Sequence, residues 1–342
     1  MSNHPVPIIV DTDMGNDIDD ALAFCMLYAL EARQECRVLA TTVCKDNPFA
    51  PQYVDVINTF YGRHDVPIGM VSRGVTCEDG LYNRAIVERT SDGQRLYDRK
   101  ASKKGVYPDA IETLRRTLAK QSDRSVVLAT IGFMTNTCDL LQSEPDEYSS
   151  LSGRELVRQK VKAMYTMAGD FSETALSSDE ERFKEYNIYQ DIASAQYTFE
   201  HWPTPIYFSG VEVGKQVLFP ADSIIKDFAW AKHHPVVDAY KLYLKMPYDR
   251  PTWDLLTILA AIRPQYDYFQ WSSAGDVRVR DNGTTSFDQQ SSGQHYYMSI
   301  GPDQIFRLQE LLRVLSSQPR MPISRQPFLA KENRSEKQRV LT

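Results

Sequence analysis

Five short apolar runs, at 7–11, 37–43, 125–131, 161–167 and 204–208, are separated along the chain by stretches of helical patterning, notably 17–31, 50–61, 108–120 and 191–200. Apolar strands joined through helices need crossover connections. The expected fold is therefore α/β, a single doubly wound, mainly parallel sheet with helices on both faces. Such a sheet binds its ligands beyond the carboxyl ends of the strands, so the polar residues that follow each strand carry the most information. The 342 residues fit one large domain or two small ones. We read one α/β domain over 1–320 and a polar tail over 321–342, which has five basic and two acidic residues and is expected to be poorly ordered. Residues 72–107 are weakly patterned and read as a solvated insertion or lid. The polar stretch 170–184 reads as a loop over the site or an exposed connection, and its pattern favours the connection. Residues 277–280 and 284–287 flank Asp281-Asn282-Gly283 and predict a small antiparallel hairpin late in the chain. A last amphipathic helix is expected over 302–316.

Charge narrows the class of function. The chain has 39 Lys+Arg against 45 Asp+Glu, a formal charge of −6. A protein held on a nucleic-acid polymer by phosphate contacts would carry a basic surplus, so such a partner is not expected. A single nucleoside stays within reach. No apolar run approaches the ~20 residues that span a bilayer, and the first residues lack a signal-peptide pattern. A soluble cytoplasmic protein is the expectation, with Cys25, Cys36, Cys44, Cys77 and Cys138 as free thiols.

The segment Asp11-Thr12-Asp13-Met14-Gly15-Asn16-Asp17-Ile18-Asp19-Asp20-Ala21 stands apart. Asp11 and Asp13 share one side of an extended strand, and Gly15 lets the backbone turn. Ile18, Ala21, Leu22, Cys25, Met26, Ala29 and Leu30 then mark the apolar stripe of a helix, placing Asp19 and Asp20 in its first turn. Asn16 or Asp17 can cap that helix. Capping and the helix dipole account for two or three acids, not for five in ten residues. Crowded together, these carboxylates repel one another unless a cation neutralises them. With no His or Cys adjacent, the fitting ion is a hard one bound by oxygen, Ca²⁺ or Mg²⁺. An EF-hand is excluded, because Gly15 and Leu22 fall where ligands belong.

This turn resembles the signature of the inosine–uridine-preferring nucleoside hydrolases, an Asp-x-Asp-x-Gly turn followed by Asp-Asp-Ala, with Asn16-Asp17 as an extra pair. Further stretches are similar to the family in the same order: Ile131-Gly132-Phe133-Met134-Thr135-Asn136, Met167-Ala168-Gly169, Glu185-Tyr186-Asn187 and Trp253-Asp254, the last opening a helix over 253–262. The resemblance spans roughly residues 6–265. It implies Ca²⁺-dependent hydrolysis of the N-glycosidic bond of a small ribonucleoside to free base and ribose. It further implies that Asp13 binds the metal and takes the proton of the attacking water. Asp20 would be a bidentate ligand, Thr135 would give its backbone carbonyl, and Asp254 would close the metal site. Asp19 would bind a ribose hydroxyl, Glu185 and Asn187 would hold other parts of the sugar, and Met167 would pack nearby. Asp11 would support the turn. Asp46 or Asn47, depending on alignment, would occupy the place of a sugar-binding Asn, with Lys45 beside them either as a cation near the site or as a solvated side chain. Trp253 stands where many members have a His that helps protonate the leaving base; it either stacks on the base or packs the helix start. Relatives form dimers and tetramers, which leaves room for a homo-oligomer.

Other signals are weaker. His233-His234-Pro235 reads as surface or capping, His201 as a helix end, and His64 and His295 as parts of polar connections. Tyr186 and Tyr189 could line a base pocket as walls. No phosphate-binding glycine loop is present. Two other functions remain open. One is a Mg²⁺-dependent phosphohydrolase of the aspartyl-phosphate type with Asp11 as nucleophile. The other is a metal-dependent nucleoside- or sugar-binding protein without turnover.

Overall fold

The computed structural model describes residues 4–102, 104–177 and 183–321. Its centre is a ten-stranded sheet. The strands are β1 (Val6–Thr12), β2 (Cys36–Lys45), β3 (Ile68–Val75), β4 (Val126–Thr130), β5 (Val161–Met167), β6 (Ile206–Ser209), β7 (Gln270–Trp271), β8 (Gly275–Val279), β9 (Thr285–Gln289) and β10 (His295–Ser299). They lie in the order β9-β8-β10-β6-β5-β4-β1-β2-β3, with β7 on β10. Neighbours from β3 across to β10 are parallel, whereas β7, β8 and β9 pair antiparallel.

Period-two alternation distributes the strand side chains between two cores. Ile8 and Val10 pack with helices Asp19–Ala32, Phe49–Phe60, Trp253–Ile262 and Pro302–Ser316 on one face. Ile9 packs on the other face with residues of Ala110–Ala119, Thr135–Gln142, Gly153–Lys160 and Ile192–His201. A strand covered on both faces reads as an unbroken apolar run, which is why β1 is visible in the sequence.

Three strands of the main sheet escaped the sequence reading: the two-residue β7, and the longer β3 and β10. β3 is an edge strand whose Ser72 and Arg73 are exposed, so it lacks an apolar run. β10, His295-Tyr296-Tyr297-Met298-Ser299, has no two-residue alternation to mark it, and it extends the parallel part of the sheet. The late hairpin is present, and it is the edge of the main sheet: Gly275 pairs with His295, carrying β8 and β9 onto β10. The stretch 72–107 is not a solvated insertion throughout, because Tyr82, Ile86, Val87 and Tyr97 enter the first core. The tail 322–342 lies outside the described residues. Among the described residues no helix is long and apolar enough to cross a membrane, and all five cysteines are free, Cys77 alone being exposed.

The order β3-β2-β1-β4-β5-β6 reverses direction between β1 and β4, the switch point at which a doubly wound sheet opens a crevice. Ile131, just past β4, donates its N–H to the Asp11 carbonyl at 2.8 Å. At Gly132 a Cβ would stand 2.5 Å from the Asp13 nitrogen and 2.6 Å from the Cys44 sulfur. Only glycine lets these backbones approach so closely. Gly132→Ala is expected to destabilise the protein by about 1–3 kcal/mol through overpacking, read as a lower urea midpoint at unchanged m-value; an unchanged midpoint would refute the tight approach.

Candidate active site

The end of β1 delivers Asp11, Thr12 and Asp13 to the crevice. Asp11 points into the structure: Thr42 and Asn136 (2.7 Å) both donate to its Oδ1. Burial raises its carboxyl to about 7, against these hydrogen bonds, which lower it. Asp11 thus ties β1 to β2 and to helix Thr135–Gln142. It does not line the cleft, and its hydrogen bonds to Thr42 and Asn136 fit a structural tie better than a nucleophile. Gly15 turns the chain at a φ of +116°, with Asn83 pressed against it and donating to the Met14 carbonyl at 2.7 Å.

Helix Asp19–Ala32 starts without the expected side-chain cap, since its N-cap position is Ile18. Asp17 instead pairs with the Arg250 guanidinium, which lies over the Tyr243 and Trp253 rings at 5.0 and 5.1 Å. None of the acids in the turn is therefore spent on a cap of this helix. Asp254 sits in the first turn of Trp253–Ile262 and donates its backbone N–H to Asp19 Oδ2 at 3.0 Å. Asp19, Asp20 and Asp254 bring one carboxylate oxygen each within 4.8 Å of the others. All three are buried. Their carboxyls are pushed well above the ordinary range, first by burial and then by their acidic neighbours. Asp13, in the same cleft, is raised to about 6, chiefly by burial. Thr12 donates to Asp20 Oδ1, while Asp20 Oδ2 is buried with no hydrogen-bond partner among the described residues. Converging buried carboxylates with an unused oxygen, at two helix N-termini, suit a hard divalent cation.

These acids floor a cleft of about 440 Å³, a volume in the range of small-molecule sites. Met167, Glu185 and Asn187 form one wall, as expected. Glu185 receives backbone N–H groups from Asn187 (2.8 Å), Ile188 (3.1 Å) and Gly169 (3.3 Å), capping the short helix Tyr186–Gln190. Burial nevertheless raises its carboxyl to about 7. Asn187 is held by the Met167 carbonyl at 3.1 Å. Trp253 and Tyr243 also line the cleft, with the Trp253 indole N–H fixed on the Val211 carbonyl at 2.8 Å.

Thr135 opens its helix, and its hydroxyl donates to Asp191 at 2.6 Å, a side-chain contact separate from the backbone carbonyl expected to face the ion; Ile131 of the same motif lines the cleft. Two other expected residues are placed elsewhere. Asn47 is occupied by the Cys77 carbonyl and Asp79, at 3.0 and 3.1 Å, and Asp46 accepts from Gly74 N–H at 3.2 Å. Neither lines the cleft. The irregular pairing of β2 and β3 between Val43 and Lys45 directs both toward the 74–79 segment.

Sequence reasoning also missed Lys215 and Phe183, which line the cleft with the ammonium 4.3 Å from the ring centroid. No contiguous pattern flagged either one. Tyr186 lines the cleft and Tyr189 does not. The start of the 170–184 stretch is not exposed, since Phe171 is buried against Tyr297 and Phe208; residues 178–182 lie outside the described residues. His234 is buried, not a surface residue. It caps helix Pro235–Tyr243, and burial lowers it to about 3. His295 belongs to β10, with its ring accepting from Val277 N–H at 2.9 Å. Among the described residues no histidine lines the cleft.

Acids raised by burial hold protons in the folded state that the unfolded chain has already released. The folded state then binds more protons, and stability falls as pH rises through the raised values. With chelator present, the melting temperature is expected to fall from about pH 5 to about pH 8, and added Ca²⁺ is expected to protect more at the higher pH. Thermal unfolding at both pH values checks this, and equal protection at both would contradict it.

The model of the inosine-uridine preferring nucleoside hydrolases matches residues 8–305. No curated sequence matches the chain. Among solved structures, a plant nucleoside hydrolase, PpNRh1, superposes with a TM-score of 0.68 at 18% identity, covering 92% of this chain and 100% of its own. The purine-preferring ribonucleoside hydrolase of Gardnerella vaginalis gives 0.66 at 17% identity, with 91% and 99% covered. The inosine-uridine preferring nucleoside hydrolase of Bacillus anthracis gives 0.65 at 15%, with 90% and 99% covered. These likenesses share the fold, and the family match extends over most of the sequence. The chain belongs to the inosine-uridine preferring nucleoside hydrolases, enzymes that hydrolyse the N-glycosidic bond of nucleosides.

Proposed function

We propose that this cleft hydrolyses ribonucleosides to free base and ribose with Ca²⁺ as its resident ion. The observation that carries the reading is the buried convergence of Asp19, Asp20 and Asp254, with Asp20 Oδ2 unpartnered among the described residues, beside Asp13. Asp13, Asp20 and Asp254 would hold the ion. Thr135, whose hydroxyl is tied to Asp191 at 2.6 Å, would add its backbone carbonyl. A bound Ca²⁺ supplies positive charge that acidifies water and orients sugar hydroxyls.

The remaining steps belong to the side chains. Asp13 Oδ2 is held by Asn16 at 2.9 Å, leaving Oδ1 to take the proton of the attacking water. Asp19, fixed through Asp254 N–H, accepts a ribose hydroxyl. Glu185, Asn187 and Met167 shape the sugar pocket. Cleavage develops positive charge on the sugar, and the surrounding carboxylates stabilise it. Trp253 and Tyr243 offer ring surface to the base.

Product analysis with purine and pyrimidine ribonucleosides, with and without chelator, tests the reading. Free base should appear only with the ion, and Asp13→Ala should lower kcat by about 10²–10⁴-fold. Binding without turnover across the panel would sink it, as would phosphate release from phosphomonoesters. For Trp253→Ala, the loss of a stacking face should raise KM for a purine nucleoside about tenfold or more. An unchanged KM would leave Trp253 a packing role only.

A further inference from the structure

Lys45 ends β2 with its side chain fully buried. An ammonium has three N–H donors and no acceptor. Lys45 spends them on Asn16 Oδ1 at 2.8 Å, the Thr76 carbonyl at 2.8 Å and Glu78 Oε1 at 3.2 Å. Glu78 is 62% exposed, so that ion pair is too well solvated to account for a buried lysine. Asn16, half-buried at the cleft, in turn donates its Nδ2 to Asp13 Oδ2 at 2.9 Å.

A carboxamide has one accepting end and one donating end. An ammonium can satisfy only the accepting end, so Lys45 dictates that the NH₂ of Asn16 faces Asp13. Without Lys45 the amide is free to turn and set an oxygen against the carboxylate. We propose that Lys45 and Asn16 act as one positioning relay that fixes the Asp13 carboxylate. The relay anchors that orientation to the 76–78 segment through the Thr76 carbonyl. The inference rests on the reading of Asp13 as the base of the reaction.

The test compares Asn16→Ala, Lys45→Met and the double variant in the full chain. For a ribonucleoside turned over by the parent protein, each single change should lower kcat about ten- to hundred-fold, the worth of one hydrogen bond to a charged group. KM should stay within about twofold. The double variant should be no slower than the worse single one, because both changes break the same relay. Asn16→Asp retains a partner for Lys45 but shows Asp13 an acceptor. It should lose at least as much as Asn16→Ala, and it keeps the test standing should the buried methionine variant fail to fold. Unchanged kcat in Asn16→Ala, losses that multiply in the double variant, or full activity in Asn16→Asp would each overturn the relay. If the parent protein turns over no nucleoside, the reading of Asp13 as base has failed. Calorimetric titration of metal-stripped protein with Ca²⁺ then decides the relay alone. Weakened, non-additive affinity in the same variants supports it, and unchanged affinity overturns it.

Discussion

Like charges packed out of water govern this molecule. Asp13, Asp19, Asp20 and Asp254 meet at the switch point of the sheet, each raised in pKa by burial. Neutral, they cost little; ionised, they repel. The fold holds them there by bringing two helix N-termini to the same place and by keeping Gly132 free of a side chain beneath Asp13. Ionised, the cluster favours positive charge beside it, whether from a cation or from a sugar as its bond breaks.

The cleft presents two kinds of surface. Met167, Glu185 and Asn187 come from the end of β5 and the short helix that Glu185 caps, and the backbone holds them rigidly. Trp253, Tyr243, Phe183 and Tyr186 add aromatic surface, with Lys215 the one cation lining the cleft among the described residues. The acidic floor suits a sugar and the aromatic wall suits a flat leaving group. Acid and aromatic surface share elements of the fold, since Trp253 and Asp254 are neighbours in one helix and Tyr186 sits between Glu185 and Asn187.

Much of this was legible because the carboxylates are contiguous in sequence and β1 is apolar throughout. Helices Trp253–Ile262 and Pro302–Ser316 begin and end where their patterns predicted. What stayed hidden depends on lateral pairing rather than local pattern. β3 mixes exposed polar residues into an edge strand, and β10 reads as a connection until it lies beside β6. The fates of Asp46 and Asn47 turn on a register irregularity next to Lys45.

The extra pair in the acidic turn adds an amide and a carboxylate, and each has its own cation: Asn16 has Lys45 and Asp17 has Arg250. A chain acquiring the pair without those cations would add an unpaired acid to a crowded anionic site and a loose amide beside Asp13. The four positions are therefore coupled by contact, and removing either cation strands the partner it holds at the rim of the anionic cleft.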